Sequence, residues 1–350
     1  MIKLHKLPGV ALLSFLAVVV SLNIAWEHQV ILTQQVTLND YYSFAARAPF
    51  IYRILPAMLY RILLVTHVNG ITGLKAPLDT YFGVFQLLLD SASLIGTFIF
   101  MARIASRLNP LLPARVVILF AGSTELLIVV FGFFMVPNYA VFYPYDFPDM
   151  CCAAGIFYLC VSPSSAAKIL LPIAVFVATL NKETALFYSG LYLAFSIERR
   201  TNWKEVAFVL LASVAGFLLA RSFVVMFVTH SGLTTTTGGP QYEYQFVSNT
   251  LSQLRNPLLF FALLNICSYL YLGVWVIRKR LDRTDMLILA LVIAWILTMS
   301  VVGVVRQLRL FVPASVLLYV ILARHLAEIV DAMLEGKTRA MTSSARYSLR

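Results

Sequence analysis

Charge is what this sequence has least of. Asp, Glu, Lys and Arg together make up 12% of 350 residues, while 60% are hydrophobic; an ordinary soluble domain carries roughly 25% charged residues. That balance excludes a soluble multidomain protein, because too little polar surface exists to cover the apolar side chains, and the mean hydropathy is +0.84. Acidic groups are the scarcer sign, 16 against 27 basic ones, for a net charge of +11. A surplus of that size in a soluble chain points to nucleic acid. Here the basic residues lie in short runs between apolar stretches, the pattern that sets membrane orientation, so no nucleic-acid partner is expected. The four cysteines, Cys151, Cys152, Cys160 and Cys267, sit in apolar stretches without metal-ligand spacing and read as packing residues. The five histidines are scattered with no HExxH pair, and neither GxxxxGK[ST] nor GxGxxG occurs. A zincin-type metalloprotease and a nucleotide-driven cytoplasmic engine are therefore not expected.

What the sequence does have is long apolar runs. The expected fold is all-α: a polytopic transmembrane helical bundle of about ten spans, forming a single integral membrane domain over 1–350. A first span over 8–27 follows the basic start Met1–Lys6, with no small-residue cleavage site after it. A large external loop occupies 28–80, and further apolar runs lie near 81–104, 115–137, 147–163, 166–180, 184–197, 205–229, 257–277, 285–305 and 310–328, all within 81–328. A basic tail covers 329–350. Ten spans put Arg103, Arg107 and Arg115, then Arg199, Arg200 and Lys204, then Arg278–Arg283, and the tail all on one side, with both termini cytoplasmic. The stretch IYRILPAMLYRILLVT (51–66) would invert that order if it spanned. With Arg53, Pro56 and Arg61 inside it, it reads as a helix along the outer interface, its arginines toward water or headgroups.

The outer side collects the chemically capable groups. Asp40 stands in NDYYSFAARAPFIYRILP (39–56), Asp146 and Asp149 in YPYDFPDM (143–150), Lys182 and Glu183 in NKETALF (181–187), and Arg306 and Arg309 in RQLRLFVP (306–313). Charges this close to a bilayer are costly unless paired or functional. Each has a structural alternative: Asp40 as a helix cap, Asp149 as cap of a helix beginning at Met150, Lys182 and Glu183 as a solvated turn, one arginine snorkelling to headgroups. Two arginines on one helix end favour an anionic ligand. Asp90, Glu125 and Arg221 fall inside spans, where a structural ion pair is expected.

With those residues in view, the chain resembles the GT-C superfamily, polytopic glycosyltransferases that take sugars from polyprenyl-phosphate carriers. The resemblance rests on the layout of one helix and then a large external loop. It rests also on Asp40-Tyr41-Tyr42, Pro49-Phe50, Tyr52-Arg53 and Pro56, which are similar to the first-loop region of the mannosyltransferase-like branch, and on YPYDFPDM and NKETALF. It implies a catalytic acid at Asp40, with Asp146 second. Many members carry a paired acidic motif in that loop; Asp40 follows Asn39 and stands alone, a departure that weighs against a first-loop metal site. No cofactor is expected, and a divalent metal has no supporting ligand set.

The implied chemistry suits the residues. A carboxylate deprotonates an acceptor hydroxyl, and arginines stabilise the departing phosphate. The expected substrate-binding set is Arg53, Asp149, Lys182, Glu183, Arg306 and Arg309, joined by Tyr242 and Tyr244 if the segment 230–256 closes over a sugar. The expected partners are a polyprenyl-phosphate sugar, a glycan or lipid acceptor, and membrane lipids, at a bacterial cytoplasmic membrane with the site on its extracytoplasmic face. A lipid-linked glycan polymerase or ligase, and a flippase-type transporter, stay open as alternatives.

Overall fold

The computed structural model describes residues 19–21, 23–24, 53–62, 78–134, 143–230, 265–302 and 308–332. Among them every regular element is helical. In chain order these are α1 (Leu55–Tyr60), α2 (Leu78–Leu108), α3 (Ala114–Val129), α4 (Asp146–Val161), α5 (Ser165–Asn181), α6 (Gly190–Glu198), α7 (Trp203–His230), α8 (Leu270–Val276), α9 (Arg283–Val302), α10 (Val312–Arg324) and α11 (Leu326–Ala332).

The core sits around α10. Every residue from Val312 to Ala323 is buried, as a helix apolar on all sides must be when neighbours surround it. Tyr319 Oη donates to the Met101 carbonyl at 2.6 Å, and Asn109 Nδ2 donates to the Ala323 carbonyl at 2.6 Å, tying α10 to α2 and the turn after it. The outer helices do the reverse. Phe208, Leu211, Leu218, Leu219 and Met226 of α7 are exposed, as are Ile169, Leu170 and Ile173 of α5 and Met286, Ile293 and Leu297 of α9. Water would not tolerate so continuous an apolar surface, whereas lipid does. The chain is an integral membrane helical bundle.

Four described helices are long and apolar enough to cross a membrane, or five if the bent pair Leu308–Arg324 and Leu326–Ala332 is one span. Helices α4 and α5 have 16 and 17 residues, so they rise about 24–26 Å, short of a hydrocarbon core of roughly 30 Å. Pairing of helices is close where side chains are small. A Cβ added at Gly216 of α7 would lie 2.8 Å from the Pro172 carbonyl oxygen of α5, an approach only glycine permits. Gly216→Ala is therefore expected to force these helices apart and cost about 1–3 kcal/mol, seen as a lower thermal denaturation temperature in detergent. An unchanged transition would show that α7 can slide away freely.

The interfacial helix expected over 51–66 is corrected in part. α1 spans six residues, and Ile54, Pro56 and Ala57 are buried against Phe85, Tyr143, Leu180 and Val224. Arg61 is exposed, as the interface reading requires, but Arg53 is turned into the protein.

Candidate functional site: three ion pairs at one end of the bundle

The turn before α4 organises the site. Pro144 breaks the chain, and the first helical turn opens with Asp146 and Asp149, both favoured there by the positive end of the helix dipole. The helix thus begins at Asp146 rather than Met150, and the expectation that Asp149 caps it is overturned. Instead Asp149 is saturated from two sides: Lys182 Nζ reaches Oδ2 at 2.7 Å, and Tyr188 Oη donates to Oδ1 at 2.6 Å. Lys182 is only 4% exposed, a burial lysine tolerates when paired. The solvated-turn alternative for Lys182 falls with it.

Asp146 makes the second pair. Arg309 Nη1 donates to its Oδ2 at 3.1 Å, and the same oxygen accepts from the Tyr143 backbone N–H at 3.0 Å. Its other oxygen, Oδ1, accepts no bond from a described residue. The Arg309 guanidinium also lies 3.9 Å from the centre of the Tyr143 ring. Arg53 and Glu183 form the third pair at 3.3 Å. Arg53 covers the Tyr145 ring at 4.3 Å and also donates to the Tyr145 hydroxyl. Tyr143 and Tyr145 stack on each other with centroids 5.3 Å apart. Two cations therefore grip a tyrosine pair, a cation–π arrangement strongest when desolvated.

Burial alone raises a carboxyl, but Arg53, the residue's own backbone N–H and nearby Arg221 outweigh it and hold Glu183 down to about 2. Its folded value lies below the ordinary 4.5. The stability it contributes is therefore complete above pH 4.5 and is lost as pH falls toward about 2. Glu183→Gln should flatten the acid limb of a stability–pH curve in that window. An acid limb identical to wild type would mean the pair contributes nothing.

These groups come from four separate parts of the chain. Three acids and three bases (Asp146, Asp149, Glu183; Arg53, Lys182, Arg309) balance in formal charge. Asn181, at the end of α5, donates to the Tyr145 carbonyl at 3.0 Å, and its buried Oδ1 has no hydrogen-bond partner among the described residues. Gln86 of α2 donates to Asp90 at 2.7 Å and to the Pro144 carbonyl at 3.0 Å. Asp90 thus supports the turn through an amide. Sequence reasoning missed Tyr143, Tyr145, Tyr188, Asn181 and Gln86. Three of these stand within the two quoted motifs, and Tyr188 is one residue beyond NKETALF. Asp40, Arg306, Tyr242 and Tyr244 lie outside the described residues. Among the described residues Glu125 joins no ion pair, unlike the pairing expected for it.

The opposite end is basic. Arg199 donates to the Cys160 carbonyl at 3.3 Å and to the Val161 carbonyl, closing the C-terminus of α4. Arg324 gathers Glu198, Asp282 and Asp285 at 2.7, 2.6 and 2.8 Å. Asp146 and Arg199 thus mark the two ends of one helix, about 22 Å apart along its axis. In comparisons with protein-family models and with curated proteins, nothing matches the chain.

Proposed function

We propose that the chain is a membrane glycosyltransferase. It moves a sugar from a polyprenyl-phosphate donor to a glycan or lipid acceptor on the extracytoplasmic face of a cell membrane, in polysaccharide biosynthesis. The supporting observation is the meeting of Asp146–Arg309, Asp149–Lys182 and Glu183–Arg53 at the end of α4 remote from Arg199. By the positive-inside rule the Arg199 and Arg278–Arg283 end is cytoplasmic, so the cluster faces outward. In this reading α4, α5 and the shorter helices complete a GT-C-like set of about ten spans with help from their flanking turns.

The acceptor hydroxyl gives its proton to a carboxylate, its oxygen bonds to the anomeric carbon, and the bond from that carbon to the phosphate oxygen breaks. The base is Asp40, with Asp146 next. Arg309 receives the negative charge that grows on the phosphate. A guanidinium has five N–H donors, and Asp146 aims it. Asp149, held by Lys182 and Tyr188, keeps the loop rigid, and Asn181 Oδ1 offers an acceptor to a sugar hydroxyl. The reaction so written uses no cofactor.

The test is mass spectrometry of lipid-linked and surface glycans with and without the gene. The expected result is one missing sugar and accumulation of its polyprenyl-phosphate donor. Complete lipid-linked glycans retained on the cytoplasmic face would instead mean transport. An accumulated lipid-linked repeat unit with no missing sugar would mean polymerisation or ligation.

A further inference from the structure

Glu125 poses a separate question. It stands on α3, 11 residues after Ala114, so about 16 Å along the axis and near mid-membrane by the roughly 30 Å core thickness. Its side chain is buried, and Oε1 has no hydrogen-bond partner among the described residues. It lines a cavity of about 210 Å³ between α2, α3 and Val20, Ser21 and Ile24 of the first apolar run. Its apolar walls are Leu94, Phe98, Ile118 and Val129, and Ser21 and Ser123 line it as well. Val20, Leu119 and Leu126 line it too and are 40%, 53% and 43% exposed, so the cavity opens on the lipid-facing surface.

A buried acceptor left unsatisfied is a standing cost, and an apolar void of about 150 Å³ already takes up benzene-sized hydrocarbon. The missing partner must supply a donor. It must also be neutral, because a charged head is expensive at this depth. We infer that the cavity binds a neutral, hydroxyl-bearing lipid, with hydrocarbon against Leu94, Phe98, Ile118 and Val129 and its O–H donated to Glu125 Oε1. None of the lining residues belongs to the ion-pair cluster, and the inference does not rest on the transferase reading.

The probe is a long-chain alcohol carrying a photoactivatable diazirine, added to the full chain in lipid nanodiscs. Cross-links are expected on α3, competed by 1-decanol and about tenfold less well by decyl methyl ether, which has the same chain and no donor. Glu125→Leu should remove the preference for the alcohol. Gly122→Leu should block labelling altogether: a Cβ at 122 meets Phe98 at an ordinary 3.5 Å, and the longer side chain fills the void. Equal competition by alcohol and ether, an unchanged preference in Glu125→Leu, or no labelling of α3 in wild type would each overturn the inference. Should Glu125→Leu fail to fold, the competition series on wild type decides alone.

Discussion

Asp40→Asn is expected to cut turnover by roughly 10²–10⁴-fold, because asparagine keeps the size and hydrogen bonding of aspartate but cannot take a proton. In barrier terms that is about 3–5 kcal/mol. Assayed in nanodiscs with a polyprenyl-phosphate sugar, the variant should bind donor as wild type does and fail in transfer. A residue that merely capped a helix would behave otherwise, since asparagine caps about as well as aspartate. Near-wild-type turnover would move the base to Asp146, whose Oδ1 accepts no bond from a described residue.

Arg309 carries the second large effect. Truncating it to alanine removes a phosphate contact and also strands Asp146, which is only 5% exposed; leaving one partner of a buried pair costs about 3–5 kcal/mol. Loss of activity in Arg309→Ala therefore mixes folding with function. The pair Asp146→Asn with Arg309→Met separates them. With no charge left stranded, stability should return to within about 1–2 kcal/mol of wild type, while use of the donor stays lost. Arg309→Lys should recover only part, because an ammonium lacks the guanidinium fork. If the double variant recovers donor use along with stability, the arginine is structural.

The helices were legible from apolar run length and the cluster from charge scarcity. Asp146, Asp149, Lys182, Glu183, Arg53 and Arg309 stood out because a bilayer punishes unpaired charge, and the structure brings all six together. Their partnering was not legible. Nothing in YPYDFPDM says that Asp149 bonds Lys182 and Asp146 bonds Arg309 rather than the reverse, since that choice depends on how α4 turns against α5 and α10. Helix length was illegible for a related reason. Hydropathy measures how apolar a run is, not whether neighbours or lipid cover it, and most of α4 is buried by its neighbours. That Arg53 turns inward was not legible either, because its sequence neighbours are apolar on both sides, which describes an interfacial arginine and a buried one equally well.

The Arg324 junction has a mechanical consequence. One guanidinium holds the end of α6 through Glu198 and the start of α9 through Asp282 and Asp285, and His325, at the 60° bend between α10 and α11, bonds Asp285 as well. Three helices are therefore pinned at one point like the ribs of a fan. Losing that one guanidinium would therefore release three helix ends at once, although they are far apart in sequence.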